Sequence, residues 1–253
     1  MAIKKGDFIE LDYTAKELDN NKIFDTTLQK VAEEAGLLHS HEPGHNHDHS
    51  DQYHPIIICV GEKQVLPGLD AKIEGKDLGK HKIKLAPEEA FGKKSAKLLK
   101  MMPMRIFKEQ KIRPYVGLEL NIDDQLGTVR SVSGGRIIVD FNHPLASKEI
   151  EYDLQINRMV TDKKEQIEAV LKLTGIKPES VSVKEKNAEI KLKTELPKEF
   201  SDMLKKELTR IIGIEIEFAS EKAEKKQESK PAAKKEEETQ KPKKDEETDK
   251  TQQ

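Results

Sequence analysis

The chain has 253 residues, with 45 Lys and Arg against 47 Asp and Glu, a formal net charge of -2, one Cys and no Trp. Charged residues make up 36% and apolar residues 35%, against about 25% and about 45–50% in an average globular domain, so some of the chain must be solvated tail or loop. The balanced charge argues against a dedicated nucleic-acid binder, a single Cys excludes a disulfide framework or Cys-based zinc site, and no apolar run approaches the ~18 residues of a membrane helix.

The first thirteen residues, MAIKKGDFIELDY, contain no apolar signal core, so a cytoplasmic, reducing location is expected. Residues 8–15 read as a strand with apolar side chains on both faces. After a turn at 19–22 a second strand runs over 22–26. Residues 28–38 look helical, and 39–54 form a polar loop rich in His. Pro55 to Val60 is a continuous apolar run, as in a buried strand. Pro67 to Gly75 reads as a short helix, with Pro at its start and Gly at its end. Residues 81–85 alternate as a strand, and 87–92 make a turn.

From 94 to 141 the pattern changes. A Met-rich apolar stretch, 101–107, precedes three short strands at 118–122, 127–132 and 136–141, the last two joined as a hairpin through Gly134 and Gly135. A loop at 142–148 and a long strand at 149–160 follow. Residues 161–218 read as helix, strand, strand, helix and strand, an α+β unit with its own small core. Asp162 or Thr161 caps its first helix, on which Ile167, Val170, Leu171 and Thr174 recur at helical spacing. Pro197 starts the second helix, with a stripe of Phe200, Met203, Leu204, Leu208, Ile211 and Ile212. Residues 219–253 contain ten Lys, ten Asp or Glu and four Ala as their only apolar residues. Such a tail cannot bury enough apolar surface to order itself.

Three strings are specific: Val60 to Asp70 (VGEKQVLPGLD), Leu78-Gly79-Lys80, and Ala86 to Gly92 (APEEAFG). With Tyr13 and Phe24-Asp25 upstream, they resemble the FKBP-type peptidyl-prolyl isomerases. Asn142 to Lys148 (NHPLASK), followed by Tyr152, resembles the SlyD-like branch, which carries an insert-in-flap chaperone domain; an extra unit after the isomerase is closest to the long archaeal type. The resemblance implies an α+β fold: an FKBP-like antiparallel sheet with a short helix, a small inserted β-rich domain, and a C-terminal α+β domain. The division is 1–93 with 142–160 for the isomerase (His-rich insertion at 39–54), 94–141 for the insert, 161–218 for the C-terminal unit and 219–253 for the tail.

By resemblance, the pocket is lined by Tyr13, Phe24, Val65, Leu66, Leu69, Phe91, Leu145 and Tyr152. Asp25 faces the reacting amide, and the Leu66 N–H holds a substrate carbonyl. Without the family, Tyr13, Phe24 and Tyr152 read as well as plain core residues. The barrier to amide rotation is about 18–20 kcal/mol. An apolar pocket favours the twisted, less dipolar amide, and no cofactor is required. Three departures weaken the expectation of tight macrolide binding or alter the pattern: Leu69 in place of a large aromatic, Glu89 in place of Tyr, and Ser147 in place of Gly.

Met101, Met102, Met104, Ile106, Phe107, Tyr115 and Val116 are candidates for an adaptable client-holding surface, since Met side chains are flexible and polarizable. The alternative is that half or more of them form the insert's own core. His39, His41, His45, His47, His49 and His54 offer imidazoles suited to Ni or Zn. His143 reads as a loop-structuring residue and Cys59 as an inert buried thiol. The expected partners are unfolded or nascent proline-containing chains, with a ribosome or other chaperones as further candidates, no membrane and no specific nucleic acid. Rival functions are a non-catalytic holdase and a metal-binding protein.

Overall fold

A computed structural model describes residues 2–37, 53–192 and 196–220. Of the predicted tail, all but its first two residues lie outside the described residues, as do His39, His41, His45, His47 and His49. The fold is α+β, with three mostly antiparallel sheets.

The first sheet begins with β1 (Phe8–Glu17), β2 (Ile23–Thr26) and, after helix α1 (Gln29–Glu34), β3 (Ile56–Cys59). Helix α2 (Pro67–Ile73) and β4 (Gly79–Leu85) follow. The inserted sheet contains β5 (Leu99–Pro103), helix α3 (Met104–Glu109), β6 (Glu119–Ile122), β7 (Gln125–Ser133) and β8 (Arg136–Asp140). The chain then returns to the first sheet through β9 (Ile150–Met159). The C-terminal unit comprises α4 (Lys163–Leu173), β10 (Pro178–Lys184), β11 (Asn187–Leu192), α5 (Lys198–Ile212) and β12 (Glu215–Ser220).

The first sheet has the order β2-β1-β9-β4, with β3 paired to the first half of β1. Leu11, Tyr13 and Ala15 pair with Ile156, Leu154 and Tyr152 and face α2 across the core. The opposite face carries a charged ladder in which Lys16 and Lys82 meet Asp153, and Lys16 also meets Glu151.

The continuous apolar run at β3 now has a cause. Ile56 and Ile58 pack into the isomerase core, while Ile57 and Cys59 pack with the C-terminal unit. Phe8 and Val160 join Cys59 there, against Ile167, Leu171, Leu208 and Ile216. A strand covered on both faces reads as unbroken apolar sequence. This corrects the expectation of a C-terminal unit with its own small core, because that core is shared with β1 and β3. Two side chains reinforce the junction: Gln166 donates to the Val160 carbonyl at 2.7 Å, and Arg158 joins Glu10 and Glu165.

The C-terminal helices carry further corrections. Asp162 caps α4 by accepting from the Lys164 N–H at 3.0 Å. Thr174 is the C-cap of α4, not part of its buried stripe. On α5 only Leu204, Leu208 and Ile212 are buried, whereas Phe200 and Met203 are exposed. Strand β12 includes Ala219 and Ser220, so the predicted boundary at 219 falls two residues too early.

The insert orders its strands β5-β8-β7-β6. β7 and β8 turn through Gly134 and Gly135, both at positive φ, as a two-residue hairpin requires. Phe107, Val129, Ile137 and Val139 form its core, with Met102, Met104 and Phe141 packed against them.

Candidate functional site

The site is built where β1, β2 and β9 meet the loop before α2. Tyr13 on β1 and Tyr152 on β9 lie diagonally across the strand pair, ring centroids 5.7 Å apart. The Tyr13 hydroxyl donates to Asp25 Oδ2 at 2.8 Å. Burial first, then the Asp25 carboxylate, raises the pKa of both tyrosines, so both hydroxyls stay protonated over the physiological range. Phe24, next to Asp25 on β2, meets Phe91 edge to face at 6.0 Å. Val65, Leu66 and Phe91 pack on the same core. Leu69, on α2, is 1% exposed and belongs to the core against which they pack. Leu145 is half-buried on the loop after the insert, and its N–H donates to His143 Nδ1 at 3.2 Å.

Several residues outside the predicted pocket set hold this arrangement. Thr26 and Thr27 clamp the Tyr13 backbone: the Tyr13 N–H donates to Thr27 Oγ1 at 2.9 Å, and Thr26 Oγ1 donates to the Tyr13 carbonyl at 3.0 Å. Buried Asp70 accepts from the N–H groups of Gly61 and Lys63 at 2.8 and 2.9 Å, which shapes the loop presenting Val65 and Leu66. Gly68 lets α2 approach the 87–89 turn, where a Cβ would sit 2.5 Å from the Glu89 carbonyl oxygen. Glu89 fixes that turn by accepting from the Ala86 N–H at 3.0 Å and Lys72 Nζ at 2.6 Å. His143 stacks flat on Phe91, centroids 4.5 Å apart and planes within 4°. The signals for His143 and Asp70 were their places in the Asn-His-Pro string and at the end of the Val60–Asp70 string; Thr26 and Thr27 gave none, since their role depends on contacts remote in sequence.

Leu66 precedes the first turn of α2, and among the described residues no protein acceptor takes its N–H. The site thus gathers mostly apolar side chains around one exposed carboxylate, two neutral phenols and, among the described residues, one N–H without a protein acceptor. Such groups can desolvate and orient an amide but offer no nucleophile. Two of the clefts among the described residues lie elsewhere. One, about 390 Å³, is on the charged outer face of the sheet beside Lys80, Lys82 and Asp153. The other, about 510 Å³, runs between β3 and α4 beside Ile57, Ala169 and Leu173.

The predicted client surface splits. Phe107 is 3% exposed and belongs to the insert's core, a correction, and Met102 and Met104 are half-buried against it. Met101, Ile106, Tyr115 and Val116 are exposed, at 61%, 38%, 62% and 66%, as are Leu99 and Leu126. Of the histidine set, only His54 is described; it contacts Lys172 Nζ on α4. Among the described residues no group of His, Cys, Asp or Glu is placed to hold a metal. Cys59 is buried, and burial with nearby Glu62 and Asp70 pushes its thiol up to about 11. No helix among the described residues is long and apolar enough to cross a membrane.

Two family models match. One, described as FKBP-type peptidyl-prolyl cis-trans isomerase, covers residues 1–108; the other, FKBP26, IF domain, covers 100–145. A short-type peptidyl-prolyl cis-trans isomerase of Methanocaldococcus jannaschii is 26% identical over 155 residues, 61% of this chain and 92% of that relative. A probable FKBP-type 16 kDa isomerase of Pseudomonas fluorescens is 30% identical over 108 residues, 40% of this chain and 71% of the relative. The SlyD isomerase of Haemophilus influenzae is 26% identical over 114 residues, 43% of this chain and 60% of its own length. With these matches over the sheet that carries the aromatic cleft, the chain belongs to the FKBP-type peptidyl-prolyl cis-trans isomerases and is an enzyme of that class.

Proposed function

We propose that this isomerase works on unfolded or nascent proline-containing chains in the cytoplasm, turning the prolyl bond in the Tyr13–Phe24–Asp25–Tyr152 cleft while the insert holds the client. The observation that carries the holding role is the exposed apolar set on the insert, Met101, Ile106, Tyr115 and Val116, on a scaffold that already has a packed core. Exposed apolar surface on a small domain marks an interaction site where it is contiguous, and four such side chains on one insert supply the material for it.

In the cleft the planar amide loses its water, and loss of resonance in the twisted form lowers the dipole that must be desolvated. The free Leu66 N–H is available to a substrate carbonyl, and the Tyr13–Asp25 pair fixes one polar edge of the cleft. Each tenfold gain in rate needs about 1.4 kcal/mol, so a few oriented contacts in a dry cleft are enough. The reaction needs no cofactor. Holding a client beside the cleft raises the local concentration of its prolines.

The test is refolding of a protein limited by proline isomerisation, read beside turnover of a short prolyl peptide. Replacing Met101, Tyr115 and Val116 together by Ser should abolish most of the refolding acceleration and leave peptide turnover within about twofold. Equal loss in both assays refutes the division of labour. Ni or Zn binding by residues 39–54 is a separate matter, tested by calorimetric titration with either ion.

A further inference from the structure

The C-terminal unit has no role in the reading above, yet one of its side chains reaches the loop that presents Val65 and Leu66. Arg210 on α5 donates from both terminal nitrogens to Glu62, at 2.9 Å to Oε1 and 2.6 Å to Oε2. The forked geometry matches carboxylate to guanidinium and specifies orientation as well as attraction. Glu62 is largely covered, and Arg210 first, through these hydrogen bonds, holds its carboxyl below the usual range.

Glu62 sits between the two residues whose N–H groups bind Asp70, namely Gly61 and Lys63. The loop is therefore gripped on one side by Asp70, from within the isomerase, and on the other by Arg210. Lys63 has a positive φ of 54°, a conformation that non-glycine residues hold only when their surroundings impose it. At the base of the loop, Gln64 Oε1 accepts the Cys59 N–H at 2.7 Å. The base of Arg210 is itself fixed: Leu204, Leu208 and Ile212 of α5 are buried in the core shared with β1 and β3, and Lys163 Nζ donates to the Ile212 carbonyl at 2.8 Å.

We propose that Arg210 is a positioning residue for the isomerase, bracing the 61–66 loop through Glu62 so that Val65 and the Leu66 N–H are held where the substrate docks. This gives the C-terminal unit a part in substrate binding, and it rests on the pocket placement proposed above.

The test uses the full chain and a short prolyl peptide. Because the pair is partly exposed, its loss should be modest: Arg210→Ala raises KM about two- to fivefold and leaves kcat nearly unchanged. Arg210→Lys, which keeps the charge but loses the fork, falls between. Added salt raises KM of the wild type and not of Arg210→Ala. The backbone amide resonances of Val65 and Leu66 shift in Arg210→Ala, while those of Phe24 and Tyr152 stay. Glu62→Gln, which leaves α5 untouched, should reproduce the KM change and guards against a folding defect in the helix variant. Unchanged KM and unmoved Val65 and Leu66 amides overturn the proposal, as does an equal fall in kcat with KM constant. Asp25→Ala distinguishes the two failures: if it stays fully active, the pocket placement fails, whereas an inactive Asp25→Ala beside a normal Arg210→Ala removes the brace alone.

Discussion

Asp140 offers the sharpest test of how the insert is joined to the isomerase. It is 4% exposed at the end of β8, where the chain returns from the insert. Its Oδ1 accepts from the Asn142 N–H at 2.9 Å and from Asn142 Nδ2 at 2.7 Å, while Oδ2 accepts from Arg130 Nε at 3.0 Å and Lys94 Nζ at 3.4 Å. Burial alone would raise its pKa, but Asn142, Arg130 and Lys94 together outweigh it and push the carboxyl down from 3.8 to about 2. A folded-state value below the unfolded one means stabilisation that is complete above about pH 4 and lost as pH falls through about 2. At about 1.4 kcal/mol per pKa step, and discounting for Arg130 and Lys94 reaching solvent, Asp140 contributes about 1–2 kcal/mol at neutral pH. Asp140→Asn keeps the Oδ1 contacts and turns Oδ2 into a donor facing two donors, so it should cost at least that much. The assay is amide hydrogen exchange of residues 95–99 and 136–142, with thermal unfolding, for both proteins from pH 7 down to pH 2. Wild type should lead by about 1–2 kcal/mol at pH 7, and the gap should close between about pH 4 and pH 2. A gap independent of pH over that window, or none at pH 7, refutes the reasoning.

Tyr13→Phe removes the 2.8 Å bond to Asp25 while leaving the ring pair with Tyr152, so peptide turnover should fall severalfold with Tm nearly unchanged, checked by a protease-coupled prolyl assay and calorimetry. Gly68→Ala drives a Cβ to 2.5 Å from the Glu89 carbonyl, and should lower both Tm and turnover, at about 1–3 kcal/mol in urea unfolding. Ser147 has φ 65° and its Oγ accepts from the Lys94 N–H at 2.8 Å, so Ser147→Gly relieves strain but loses that bond; unfolding should show a change under about 1 kcal/mol, whereas Ser147→Ala keeps the strain and loses the bond, and destabilises. Ending the chain after residue 160 uncovers Phe8, Ile57, Cys59 and Val160, so a thiol reagent inert toward Cys59 in the full chain should label it in the truncated one.

How far the sequence led can be judged from single residues. The family resemblance carried by the order of motifs singled out Tyr13, Phe24, Phe91 and Tyr152, whereas strand period alone read Tyr13, Phe24 and Tyr152 as plain core residues. It did not show that Thr26 and Thr27 clamp Tyr13, since such bonds join strands whose register emerges only on folding. The Met-rich stretch was legible as apolar but not as strand plus helix. Only β5 pairing with β8 sends Met101 outward and Met102 to the core, and only α3 turns Phe107 inward. The shared core was announced by a run with no polar face at Pro55 to Val60, and by Phe8 beside Ile9. Those runs say that both faces are covered without saying by what, and the cover lies more than a hundred residues downstream in α4 and α5.

The placement of the insert has a physical logic that the base contacts expose. Phe91 leaves the isomerase just before the insert and His143 re-enters just after it, and the two rings stack. Below them the Ser147 N–H donates to the Gly92 carbonyl at 2.8 Å, the Ser95 N–H to Asn142 Oδ1 at 2.7 Å, and Asn142 Nδ2 to the Ser95 carbonyl at 3.1 Å. The outgoing and incoming chains are thus fastened to each other across the same residues that carry one wall of the cleft. The opposite wall, the 61–66 loop, is fastened to α5. A desolvated site strengthens the few hydrogen bonds it offers, so its rate depends on holding those groups and the apolar side chains in place. Each side is thus tied to residues outside the sheet: the Phe91–His143 side through Ser95 at the root of the insert, and the 61–66 loop through Arg210 of α5.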